Sequence, residues 1–166
     1  MYQYVNGLPH SHVSDRYLST LSDLGQGLGW VAGGVAIGLL GGRKGRRAGL
    51  ATAVASMAAT YVVQRHVKPV FRRVRPSVNR EARVVGALPP DPSFPSGHSA
   101  SSFAAATALS IYYPNAAPLA FTVATGVAAS RVHLGVHFPS DVAVGGAIGI
   151  GVGTLVGWLV GKIPMR

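Results

Sequence analysis

The chain has 166 residues, 48% hydrophobic and 12% charged, where soluble domains carry about 25% charged residues. Fifteen Lys and Arg against five Asp and Glu leave a formal charge of +10, mean hydropathy is +0.32, and cysteine is absent. These values exclude a disordered chain, a disulfide-stapled domain and a thiolate metal site, and they favour a single membrane-embedded domain, residues 1–166, over a nucleic-acid binder.

Tyr17, Leu21, Leu24 and Leu28 fall on one helical face, with Asp15, Arg16, Ser19 and Asp23 elsewhere. Residues 1–20 thus read as an interfacial helix leading into a first span, or as a frayed polar terminus. They do not read as a secretory signal, because no basic residue precedes Arg16 and no apolar run comes early enough.

Leu24 to Gly42 is uncharged for 19 residues, with Gln26 its only strongly polar side chain, and can cross a bilayer core. A basic knot follows (Arg43, Lys44, Arg46, Arg47), then an uncharged run from Ala48 to Gln64. Residues 65–96 form a polar, proline-rich loop. A third apolar run covers Gly97 to Tyr113, and a fourth covers Ala116 to Ala129 and is extended by the rim Val132 to Phe138. The fifth, Val142 to Gly161, has 20 uncharged residues. The expected fold is all-α: a multi-pass transmembrane helical bundle of about five spans plus the N-terminal segment.

Glycines recur every four residues from Gly145 through Gly149, Gly153 and Gly157 to Gly161, and similar rows (Gly25, Gly29, Gly33; Gly34, Gly38, Gly42) mark the first span. Such rows let helix backbones approach closely in lipid. Packing within one bundle is the favoured use, with a homo-oligomer through these faces as the alternative.

Three polar clusters border the spans, and each would be costly in lipid unless it lined a wet pocket. Lys68 precedes Arg75-Pro76 by six intervening residues, Pro95-Ser96-Gly97-His98 opens the third span, and Ser130-Arg131 closes the fourth, ahead of His137 and Asp141. Counting spans in order puts the loop between spans two and three on the same side as the loop between spans four and five, so all three clusters converge on one face. Ser96 and Gly97 offer a helix N-terminus to phosphate oxygens, Arg75 and Arg131 can each hold two oxygens in a planar fork, and Lys68 adds a point charge. Asp141 can fix the tautomer of His137 and leave its other nitrogen as a nucleophile, while His98 can protonate a leaving oxygen. The parts suit metal-free phosphoryl transfer, with no cofactor.

Those three segments, KPVFRRVRP from Lys68 to Pro76, PSGH from Pro95 to His98 and SRVHLGVHFPSD from Ser130 to Asp141, match the signature K-x6-R-P, P-S-G-H, S-R-x5-H-x3-D. The chain therefore resembles the type 2 phosphatidic acid phosphatases, the membrane branch of a superfamily that includes vanadium haloperoxidases. The resemblance implies a haloperoxidase-like helical core, usually of six helices. It implies His137 as the nucleophile forming a phosphohistidine, Asp141 orienting it and His98 as general acid. Lys68, Arg75, Arg131, Ser96 and Gly97 would form the phosphate cradle. The partners implied are the bilayer and a lipid phosphate, a phosphomonoester or pyrophosphate. Among substrates, a polyprenyl-linked one such as decaprenylphosphoryl-5-phosphoribose in arabinan precursor synthesis is favoured. A polyprenyl pyrophosphate, phosphatidylglycerophosphate or transfer to another acceptor stand as alternatives, and a Gly-rich scaffold or small transporter is the non-enzymatic one.

The remaining basic and histidine residues read as unremarkable. His133 and His137 lack a third metal ligand, so His133 is assigned a structural or rim role. His10, His12 and His66 are taken as surface or interfacial, Arg72 and Arg73 as a solvated basic loop with contact to lipid headgroups or the distal part of a substrate as the alternative, and Arg80 and Arg83 as having no special role. No aromatic stacking platform accompanies the charge, which argues against nucleic acid. By the positive-inside rule, the knot Arg43 to Arg47 with Lys162 and Arg166 lies in the cytoplasm, so the catalytic face looks outward across the plasma membrane.

Overall fold

The structure is a computed structural model that describes residues 6–7, 11–25, 27–76, 84–86 and 89–164. His10, Gln26, Arg80, Arg83 and Arg166 lie outside the described residues. The described residues are largely helical, with no strand among them. The principal helices are α1 (His12–Leu24), α2 (Leu28–Leu40), α3 (Gly42–Val62), α4 (Gly97–Tyr112), α5 (Ala117–His133) and α6 (Pro139–Gly161). α3 continues through a π-helical turn, Val63–Val67, into a short helical stretch, Lys68–Phe71.

Two expectations need correction in detail. Leu28 does not share a helix with Tyr17, Leu21 and Leu24, because Gly25 caps α1 after Leu24 and a new helix begins at Leu28. The uncharged run from Leu24 to Gly42 also yields only 13 helical residues, roughly 20 Å of rise. Gly25 ends one helix before it, and Gly42, with φ of +59°, opens the next after it. Among the described residues, Pro139–Gly161 alone is long and apolar enough to cross a bilayer by itself, and Leu28–Leu40 is a shorter apolar helix.

The bundle centre is built from small side chains. Ala51, Ala55, Ala59, Ala100, Ala104 and Ala108 form one core with Val63, Val156 and Val160, while Leu39, Leu40 and Leu119 stand more than two-thirds exposed. Alanine surfaces bring helix axes close, the packing mode helices use where lipid removes the hydrophobic drive between them. The α6 glycine row is spent inside the chain: a Cβ at Gly145, Gly149 or Gly153 would strike the backbone of α4 at Ser96, Ala100 or Ala104. Gly34 of α2 meets Gly49 of α3 in the same way.

Helix starts follow local chemistry. Ser96, extended at ψ 116°, caps α4, its hydroxyl accepting the Ser99 N–H at 3.4 Å. Pro139 occupies the first turn of α6, where its missing N–H costs nothing, and Asp141 Oδ2 accepts the Phe138 N–H at 2.8 Å. Between α5 and α6 the chain turns at Gly135, whose φ of +75° a side chain would strain.

Candidate active site

Lys68, at the far end of the α3 extension, Gly97 and His98 in the first turn of α4, Arg131 in the last turn of α5, and Arg75 and His137 on the connecting segments line one cavity of about 90 Å³. That is several times the ~10–15 Å³ one water needs. Two backbone bonds join its walls: Ser96 N–H donates to the Asp141 carbonyl at 2.9 Å, and Ser93 N–H to the Arg73 carbonyl at 2.8 Å. Arg72 takes a left-handed conformation (φ 41°) that ends the Lys68–Phe71 stretch.

Three cations face this small space almost without water: Lys68, Arg75 and Arg131 are 3%, 5% and 7% exposed. Arg75 is fixed on three sides. Its Nε donates to the Asp91 carbonyl (3.1 Å), Nη2 to Asp91 Oδ1 (2.8 Å) and Nη1 to the Val136 carbonyl (2.8 Å). Lys68 Nζ donates to the other carboxylate oxygen of Asp91. Burial pulls the Lys68 pKa down, opposed by its bond to Asp91. Burial alone would raise the Asp91 carboxyl, but Lys68 and Arg75 hold it down at about 2. Arg131 Nη1 donates to Ser22 Oγ at 2.6 Å, and its Nε is buried without a hydrogen-bond partner among the described residues. A buried guanidinium N–H left open beside two more cations is a donor set for an oxyanion.

His137 is 2% exposed. Its Nε2 lies 3.4 Å from Arg75 Nη1, and its Nδ1 lies 3.5 Å from Asp141 Oδ2, just outside hydrogen-bond length. Burial lowers the His137 pKa to about 4, Asp141 opposing and Arg75, Arg131 and Lys68 reinforcing the shift. The ring is neutral at pH 7. The carboxylate behind it favours the tautomer with a proton on Nδ1, which leaves the Nε2 lone pair on the Arg75 side. Asp141 is fully buried. Its Oδ2 accepts from Ser93 Oγ and Phe138 N–H, and its Oδ1 from Arg73 Nη1 at 2.9 Å.

Six of the eight residues singled out from sequence line the cavity; Ser96 and Asp141 do not. Asp141 stands behind His137, and the Ser96 hydroxyl is occupied in capping α4, accepting from Ser99 N–H and Ser99 Oγ. Arg73 is not a solvated loop residue. It bridges Asp141 and Ser140 and lies 4.2 Å over the Phe138 ring. A buried carboxylate needs a counter-charge, and that demand was the available signal for Arg73. His133 Nε2 faces Asp15 Oδ1 of α1 at 3.4 Å. Thr60 and Gln64 also line the cavity from α3 and its π turn. A π turn rotates the residues beyond it relative to an α-helix, a frequent device at functional sites that apolar periodicity does not reveal.

The chain is 43% identical over 82 residues to a decaprenylphosphoryl-5-phosphoribose phosphatase of Mycobacterium tuberculosis (49% of this chain, 45% of the relative). It is 40% identical over 95 residues to the protein of that name from Mycolicibacterium smegmatis (57% and 49%). The matched stretches span about half the length of these relatives. In fold, it is similar to Aquifex aeolicus LpxE (TM-score 0.72, 24% identity, 93% of this chain and 91% of that one). It is also similar to a transmembrane PAP2 type phosphatidylglycerolphosphate phosphatase from Bacillus subtilis (TM-score 0.78, 23% identity, 98% and 84%). The family profile of the PAP2 superfamily matches residues 49–164, which hold all three polar segments and every cavity-lining residue named above, and the chain belongs to that superfamily.

Proposed function

We propose that this chain is an integral-membrane lipid phosphatase that works through a phosphohistidine on His137. The observation that carries the reading is the neutral, buried imidazole of His137 sharing one small cavity with Lys68, Arg75 and Arg131 and backed by Asp141. A phosphate monoester docks its oxygens on the three cations. The His137 Nε2 lone pair attacks phosphorus in line as the bond to the leaving alkoxide breaks, and His98, which takes a proton from water once the phosphate dianion sits beside it, passes that proton to the leaving oxygen. Asp141 accepts the Nδ1–H and stabilises the charge that grows on the ring. Water then attacks the phosphohistidine, gives its proton back to His98, and inorganic phosphate leaves. Transition-state charge falls on oxygens already faced by fixed cations, the usual main source of acceleration in phosphoryl transfer.

Several features support a membrane setting of about five spans. Small residues fill the core while leucines face outward, and the chain is similar in fold to a protein described as transmembrane. The knot Arg43 to Arg47 sits at the opposite end of α3 from Lys68, and Lys162 at the opposite end of α6 from Asp141. With that basic end in the cytoplasm, the cavity opens on the outer face. The mycobacterial relatives favour a polyprenyl-linked substrate, decaprenylphosphoryl-5-phosphoribose first among them.

The test uses the full chain in detergent with radiolabelled lipid phosphates, including a decaprenyl-linked sugar phosphate, phosphatidylglycerophosphate and a polyprenyl pyrophosphate. Phosphate release that disappears in His137→Ala, with an acid-labile labelled enzyme trapped from the wild type, is the expected result. Undiminished release by His137→Ala would overturn the assignment.

A further inference from the structure

Asp91 is the one acidic side chain among the described residues that line the cavity, and its position is unusual. Its two carboxylate oxygens are divided between Lys68 and Arg75, the two cations a substrate phosphate has to reach. Lys68 and Arg75 are buried, but the Asp91 side chain is 30% exposed. Its backbone is held separately: the Asp91 carbonyl accepts from Arg75 Nε, and two residues on, Ser93 N–H donates to Arg73. The carboxylate can therefore turn out to water by side-chain rotation while the loop stays in place.

We propose that Asp91 is a built-in competitor for phosphate, bridging Lys68 and Arg75 while the site is empty and leaving them when phosphate arrives. The inference rests on the reading of the cavity as a phosphate site. Two physical facts drive it. Buried cations without a counter-ion are strongly disfavoured, so the empty site needs an anion, and Asp91 supplies it. Once a phosphate docks on the same two cations, a carboxylate among its oxygens is repelled, and exposure gives it somewhere to go. After hydrolysis, the returning carboxylate displaces inorganic phosphate, so the same residue that weakens capture speeds release. An empty site occupied by Asp91 nine-tenths of the time would cost the phosphate about ten-fold in apparent affinity.

The test is equilibrium binding of radiolabelled inorganic phosphate to the purified full chain, as wild type, Asp91→Asn and Asp91→Glu, each prepared in phosphate buffer and then dialysed. Phosphate in the preparation stands in for the lost carboxylate and keeps the variants folded. Asp91→Asn is expected to bind phosphate about ten-fold tighter than wild type, and Asp91→Glu, which keeps the charge, to bind it within about two-fold of wild type. In turnover, Asp91→Asn should lower KM and kcat together as phosphate release slows. Equal or weaker phosphate binding by Asp91→Asn would overturn the proposal and make Asp91 a strut that holds Lys68 and Arg75 in position. If no form binds phosphate, the phosphate-site reading fails with it; if binding is lost in Arg131→Ala yet unchanged in Asp91→Asn, only the Asp91 proposal fails.

Discussion

Ser22 in α1 accepts a 2.6 Å hydrogen bond from Arg131 Nη1, 109 residues further along the chain. Both residues are buried, and the bond fixes one arm of the guanidinium while Nε stays open. The N-terminal helix therefore helps to set the cavity although it lies outside the residues matched by the family profile. For Ser22→Ala we expect about 1 kcal/mol lost in positioning Arg131, read as a KM rise of roughly five-fold with kcat nearly unchanged. Steady-state kinetics checks this, with Ser22→Thr retaining wild-type values.

Asp141→Asn keeps the shape and removes the charge. An amide nitrogen would then face Arg73 Nη1 or the donors Ser93 Oγ and Phe138 N–H, so one existing bond must become a donor–donor clash. On the proposed mechanism, the imidazole also loses the group that stabilises its positive form during transfer. We expect kcat to fall by about 10²–10⁴-fold, with thermal melting in detergent showing a cost of about 2 kcal/mol.

Arg73→Ala tests a residue whose sequence context reads as a solvated basic loop. Its side chain is 40% exposed, so water takes over much of its pairing with Asp141 and the stability cost should stay at or below about 1 kcal/mol. Activity should fall more than stability, by roughly ten-fold, because Asp141 gains freedom behind His137. An unchanged kcat in Arg73→Ala would show that Ser93 and Phe138 suffice to hold the carboxylate.

The acid side of the pH profile has a defined sign. With its folded pKa lowered to about 4 from an ordinary 6.5, His137 is neutral through most of the acidic range, and kcat/KM should fall only as pH drops toward about 4. A bound phosphate dianion offsets the cations that depress the ring, so the corresponding fall in kcat should come at higher pH. Between about 4 and 6.5 the unfolded chain binds the proton that the folded chain refuses. Stability therefore rises with pH across that window and is lost on acidification, and His137→Gln should flatten the slope in a melting series.

Gly149→Val should damage the site from a distance. An added Cβ would stand 3.0 Å from Ala104 N and from Phe103 Cβ, nearer still to the Ala100 carbonyl, so α4 and α6 must move apart. Overpacking of this kind costs about 1–3 kcal/mol. His98 and Asp141 lie in the first turns of the two helices, so kcat should drop alongside melting temperature, whereas Gly151→Val, at a position with open space around it, should leave both near wild type.

The sequence made the ends of the helices legible because chemistry concentrates there. Lys68, Arg75, His98, Arg131 and His137 each interrupt or border an apolar run, and the structure brings them to one cavity. What stayed hidden depends on pairing rather than pattern. Asp91 is one of two acids in a basic loop, Glu81 being the other, with no periodicity to give it a partner, and Ser22 is a common residue in a polar segment. A serine before a helix can serve as its cap or as a phosphate contact, and the structure shows the first use, Ser96 Oγ accepting from Ser99. The apolar run from Leu24 to Gly42 overestimates helix length because α1 ends at Leu24, before Gly25, and Gly42 takes a positive φ, neither of which hydropathy registers.

An interior made of alanine has a methodological corollary. Truncating side chains to alanine, the customary way to find what holds a protein together, would pass over Ala51, Ala55, Ala100 and Ala104 as though nothing were there. Only enlargement would expose them. In a saturation library, the positions that tolerate nothing larger than a methyl group should trace the helix seams, while Leu39, Leu40 and Leu119 exchange freely among oily residues.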